Sequence, residues 1–200
     1  MNNRLTCLCL FLIVSTPATV IAKHHTAEES LVFDVPMPNM IMTKKYRGGI
    51  AVTGDLYIAG QPMSPGALDE LKADGVKTVI NLRTPDEMNN RKSTPFDEAK
   101  KLKEIGLNYI QIPSGGEKYP YSPSTLTRFA DAMDNAEGKV LLHCNSARRA
   151  THIWVAYLVK YKHVPIDEAL ALGRAINFGE QPIEGYLDGD YKLTFSADAQ

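Results

Sequence analysis

The chain is expected to fold as an α/β protein with a mainly parallel central sheet flanked by helices. Two observations carry this expectation. Short apolar segments alternate with stretches of helical period long enough to be crossovers, which is how strands are returned in parallel within one sheet. The 200 residues are 44% hydrophobic and show no internal repeat, so a single domain with a real core is expected.

The first residues, MNNRLTCLCLFLIVSTPATVIA, carry one cation at Arg4, an apolar run from Leu5 to Val14 and small residues up to Ala22. This is the plan of a secretory signal, with cleavage expected after Ala22 and a periplasmic or secreted product. The run is short and broken by Ser15, Thr16 and Pro17, so no stable membrane insertion is expected after cleavage. Residues 23–40 are polar or proline-punctuated and read as an extended arm, and residues 41–200 form the expected domain.

Within the domain, IAV (50–52) and LYIA (56–59) read as strands, followed by a helix in SPGALDELKADG (64–75) and the strand VKTVINL (76–82). A helix in TPFDEAKKLKEIG (94–106) and the strand LNYIQIP (107–113) come next. The helix SPSTLTRFADAMDNAEG (122–138), the strand KVLLH (139–143) and the helices ARRATHIWVAYLVKYK (147–162) and IDEALALGRAI (166–176) complete the pattern. Trp154, Tyr157 and Leu158 fall at helical spacing and are expected in the core. Ligands of open α/β sheets bind at the carboxyl ends of the strands. Three loops should converge there: RTPDEMNN (83–90), SGGEKYPYSP (114–123) and CNSARR (144–149).

A formal charge of −1 provides no basic stripe for nucleic acid, and none is expected as a partner. Signal cleavage would remove Cys7 and Cys9 and leave Cys144 as the single thiol, either an inert buried side chain or a reactive group. Its position at a strand end, before a helix N-terminus, favours a thiolate. The backbone of Asn145, Ser146, Ala147, Arg148 and Arg149 would form a concave anion cradle, and the Arg149 guanidinium would offer a planar fork to two oxygens. Glu117, in a glycine-flanked loop, is the first candidate for an acid, with Asp86 or Glu87 as alternatives. His143 should face away from the anion and still tune the thiolate. Arg83 adds positive potential at the next strand end or pairs with Asp86 or Glu87. His152 and His163 read as surface or packing residues, and with one cysteine no zinc set is evident, so neither metal nor cofactor is expected.

The order GQPMSPGALDELKADGVKTVINLRTPDE, YIQIP and VLLHCNSARRA resembles the cysteine-dependent protein tyrosine phosphatase superfamily. It is most similar to the dual-specificity-like bacterial branch that includes beta-lactamase-hydrolase-like phosphatase domains, and the likeness runs from about Ile50 to Ile176. The resemblance implies a phosphatase fold, a phosphocysteine intermediate on Cys144, no metal, and a phosphorylated protein or small molecule as substrate. The common loop of that superfamily has five residues between cysteine and arginine, whereas here Arg149 follows after four. Ala147 replaces a usual glycine, Ala150 follows the arginine, and the next hydroxyl is Thr151. The four-residue spacing is also that of rhodanese-like sulfurtransferases, with Asn81 where their aspartate would be. A non-catalytic phosphate-binding module remains a third reading.

Overall fold

The structure is a computed structural model that describes residues 34–177, 179 and 183–189. The expected signal and the arm before Asp34 lie outside the described residues. Six strands form one mixed sheet: β1 (Asn39–Ile41), β2 (Ile50–Thr53), β3 (Leu56–Ala59), β4 (Val76–Asn81), β5 (Asn108–Gln111) and β6 (Lys139–His143). Their spatial order is β1-β2-β3-β6-β4-β5. β1, β2 and β3 form an antiparallel meander, and β3, β6, β4 and β5 pair in parallel, as the alternating pattern predicts.

The first strand begins at Asn39, inside the segment read as an arm, and pairs with β2 in register Met40 with Ala51. Just before it, the Thr53 hydroxyl donates to the Pro36 carbonyl (2.7 Å) and Val35 packs against the core. Three residues between prolines and methionines carry too little period to be read as a strand; the pairing partner supplies the order.

Helices α1 (Pro65–Ala73) and α3 (Glu98–Glu104) cover one face of the sheet, where Leu68, Leu71 and Leu102 meet Tyr57, Val79 and Leu141. Helices α4 (Pro123–Asp134), α5 (Arg148–Tyr161) and α6 (Ile166–Arg174) cover the other, where Phe129, Ile153 and Leu170 meet Ile58, Ile80 and Leu142. Adjacent strand residues therefore feed opposite cores, which is why β4 and β6 read as unbroken apolar runs. Trp154, Tyr157 and Leu158 are buried as expected. α3 starts four residues later than the quoted pattern, because Asp97 caps it by accepting from the Lys100 N–H, leaving Thr94 free for another use. A further short helix, α2 (Pro85–Asn89), occupies the segment read as a loop.

The register brings the carboxyl ends of four strands level: Ala59, His143, Asn81 and Gln111 lie side by side. The three expected loops leave from this edge. No described helix is long and apolar enough to cross a membrane.

Candidate active site

Cys144 leaves β6 on the face opposite His143 and is 1% exposed, at the floor of the site. The loop that follows is held from outside by its carbonyls. Those of Cys144, Asn145, Ser146 and Ala147 are directed, in turn, at His143 Nδ1 (3.3 Å), the Gln61 N–H (3.0 Å), Asn177 Nδ2 (2.6 Å) and the Thr151 N–H (2.8 Å). A peptide group whose carbonyl is turned outward presents its N–H to the opposite side. Peptides so tied turn donors toward the inside of the loop, the geometry of an anion nest. The unpaired first N–H groups of α5 extend the nest, since its N-cap, Ala147, has no side chain to satisfy them.

Ala147 adopts φ 64°, ψ −17°, the left-handed conformation that glycine takes without strain. The turn keeps its shape without its usual glycine, at a cost of about 1–2 kcal/mol. The hydroxyl at Thr151 does not reach the cradle: it donates to the Ala147 carbonyl (3.0 Å) and is fully buried.

The GQP segment explains the loop's other support. Gly60 bridges to Ser146, and a Cβ there would lie 1.7 Å from the Arg47 carbonyl oxygen and 2.9 Å from that of Asn145. No other residue fits. Gln61 then donates its N–H to Asn145 and sends its side chain, fully buried, beneath the loop.

Arg149 is fixed by three short hydrogen bonds, and by a fourth of 3.5 Å from Nη1 to the Leu82 carbonyl, which together leave one edge open. Nη1 donates to Glu87 Oε2 (2.9 Å) and to the Ser114 carbonyl (2.8 Å), and Nη2 donates to Glu87 Oε1 (2.6 Å). A guanidinium has five N–H groups. The two that remain, on Nε and Nη2, run parallel along one edge and have no strong partner among the described residues. That edge matches two oxygens of a tetrahedral oxyanion. Burial opposes its charge, but the hydrogen bond to Glu87 and the neighbouring Cys144 and Glu87 raise the pKa of Arg149 above its ordinary value.

Glu87 is thereby assigned. Burial pushes its pKa up, but hydrogen bonds from Arg149 and the Thr84 N–H, with the charges of Arg149 and Arg83, outweigh it and bring it down to about 2. A carboxyl so held is ionised at any working pH and serves as a partner of the fork rather than as a proton donor. Asp86, its neighbour, is exposed in the first turn of α2. Glu117 sits exposed at the tip of a tight turn in which the Gly115 N–H donates to the Tyr119 carbonyl (2.6 Å). The base of this turn touches the fork, since a Cβ on Gly115 would lie 3.5 Å from Arg149 Nη1. Arg148 is exposed and adds only its backbone to the cradle.

Arg83 is 1% exposed and pairs with Glu87 (Nε to Oε1, 3.5 Å) rather than with Asp86. Its Nη atoms donate to Gln61 Oε1 (2.5 Å), Thr94 Oγ1 (2.7 Å) and Ser93 Oγ (2.9 Å). It braces the site from below. Sequence reasoning passed over Gln61, Glu98, Ser114 and Asn177. The spacing of Glu98 and Leu102 on one face of α3, with Ile105 just beyond its end, was a signal that Glu98 is buried.

The match of residues 50–166 to the family described as Beta-lactamase hydrolase-like protein, phosphatase-like domain, spans the cradle, the fork and its bracing loops. The chain belongs to that family. The Beta-lactamase hydrolase-like protein of Xylella fastidiosa (strain Temecula1) is 30% identical over 123 residues, 62% of this chain and 28% of that protein. The chain thus matches less than a third of that relative's length. Among solved structures, the DUF442 protein of Shewanella putrefaciens CN-32 superposes with a TM-score of 0.56 at 24% identity, over 72% of this chain and 91% of that one. TpbA of P. aeruginosa gives 0.55 at 18% identity, over 78% and 92%. Both have the phosphatase-like fold found here, as the resemblance implied.

Proposed function

We propose that this phosphatase-like domain hydrolyses phosphate monoesters through a phosphocysteine on Cys144. The observation that carries the reading is the open Nε/Nη2 edge of Arg149, held by Glu87 and Ser114 beside a nest of backbone donors with a thiol at its floor. The phosphoryl group binds with its equatorial oxygens on the loop N–H groups and the Arg149 edge. Cys144 Sγ attacks phosphorus in line, forming S–P as the P–O ester bond breaks. Glu117 gives a proton to the departing alkoxide and then takes one from the water that hydrolyses the phosphocysteine. The cradle is one residue shorter than the common loop and offers one fewer N–H, so modest turnover is expected.

Hydrolysis of para-nitrophenyl phosphate by reduced protein, with Cys144→Ser alongside, tests the reading. Turnover is expected to vanish in the variant while its fold is kept, and unchanged turnover would overturn the proposal. Phosphotyrosine peptide belongs in the panel, since TpbA has been solved with phosphotyrosine. Glu117→Gln should slow an alkyl phosphate by about a hundredfold or more and para-nitrophenyl phosphate much less, because nitrophenolate needs little protonation. From the leader-like residues 1–22 we further propose export, which predicts a mature N-terminus at Lys23 in the periplasmic or secreted fraction.

A further inference from the structure

We infer that Glu98 is a positioning residue for the Cys144 nucleophile, holding His143 as an imidazolium directly behind it. The inference rests on Cys144 being the nucleophile. His143 and Glu98 are both fully buried, on the sheet face opposite the cradle. The two ring nitrogens of His143 face only acceptors: Nε2 lies 2.9 Å from Glu98 Oε1, and Nδ1 lies 3.3 Å from the Cys144 carbonyl oxygen. A neutral ring has one N–H and would turn a lone pair on either a carboxylate or a carbonyl. With Glu98 ionised, as amide donors on both its oxygens favour, only the cation satisfies both contacts.

Given a thiolate at Cys144, charge balance gives the same assignment. Glu98 on α3 is faced by His143 from β6, by Arg83 from the end of β4 and by Tyr109 from β5. Its oxygens also accept from the side-chain amides of Gln61 (2.7 Å) and Asn81 (3.2 Å). On the cradle side, Cys144 is faced by Arg149 of α5 and by Tyr121 and Tyr186, with Glu87 of α2 on Arg149. With His143 neutral, Arg83 and Arg149 offset Glu98 and Glu87 and leave only the backbone donors of the cradle to offset a thiolate. With His143 protonated, three cations meet three anions, and buried charge persists where it is paired. Glu98 is itself kept ionised: burial opposes it, but the His143 charge and hydrogen bond, Gln61 and Arg83 prevail.

Two measurements that need no substrate test this. The nitrogen-15 spectrum of histidine-labelled wild-type protein, assigned with His143→Gln, should show both His143 nitrogens protonated near neutral pH. One protonated nitrogen would overturn the inference without bearing on whether the enzyme is a phosphatase. In Glu98→Gln, the 240 nm thiolate absorbance that Cys144→Ser removes should fall about tenfold at pH 6, because the neighbouring cation that favours the charged thiol is lost. kcat should fall in parallel with KM little changed, and Glu98→Asp should restore part of both. A lower unfolding temperature with unchanged thiolate absorbance would make Glu98 merely structural and overturn the proposal. If Glu98→Gln does not fold, the wild-type spectrum still decides. Loss of thiolate in that variant, in a protein that turns over no phosphate ester, would sustain the positioning role and sink only the phosphatase reading.

Discussion

At the scale of single residues, Arg149 shows how a flexible side chain becomes a rigid recognition element. Glu87 takes the end of the fork and Ser114 one further hydrogen, so the remaining edge is aimed before any ligand arrives. Glu87→Gln removes the charge from this clamp. kcat/KM for aryl phosphates is expected to drop by about ten- to a hundredfold, since loss of a charge-assisted bidentate pair lets the fork wander. Steady-state kinetics against wild type measures it. Ala147 holds the opposite kind of position, one where the sequence carries strain. Ala147→Gly relieves the φ of 64° and is expected to raise stability by about 0.5–1 kcal/mol, after the larger entropy of glycine in the unfolded chain is subtracted. Denaturant titration reads this directly. The strain was legible in the sequence, because an alanine stands where the loop requires a glycine-like turn. The fork's partner was not: Glu87 could be named as a carboxylate near the anion, but its pairing with Arg149 depends on how two loops from different strands meet.

At the scale of elements, α2 is the piece that the sequence concealed. Five residues give no period to read, and α2 buries none of them. The signal present was chemical: Thr84 and Glu87 form a capping box, in which the Thr84 hydroxyl accepts from the Glu87 N–H and the Glu87 carboxylate accepts from the Thr84 N–H. Thr84→Ala is expected to destabilise the protein by about 1 kcal/mol and to weaken activity, since the cap also orients the carboxylate that holds Arg149. Paired melting and kinetic assays would show both, and an effect on neither would separate α2 from the site. The long apolar strands and the helices at crossover spacing were fully legible, because burial on both faces of a parallel sheet writes itself into unbroken hydrophobic runs. The strand β1 and the start of α3 were not, since a partner strand fixes the first and a single Asp97 cap fixes the second.

At the scale of the whole molecule, His152 and Glu87 are two of the groups that set the response to acid. Burial, with the nearby Arg148 charge, holds His152 at about 4, below its ordinary 6.5, against the opposing Gly179 contact and Glu184 charge. Folding therefore favours its neutral form, and that stabilisation is complete above about 6.5 and lost as pH falls toward 4. Glu87, held near 2 rather than 4.5, adds a second loss below about 4.5. Unfolding free energy should thus decline from pH 6.5 downward, and His152→Gln should flatten the part between 6.5 and 4. The proposed phosphocysteine is a covalent bond that can be trapped by acid-quenching the protein during turnover of para-nitrophenyl phosphate and locating the added phosphate by mass spectrometry. A phosphoryl group is expected on the peptide that contains Cys144, absent in Cys144→Ser. Steady turnover with no phosphorylated Cys144 peptide at any quench time would contradict the phosphocysteine mechanism.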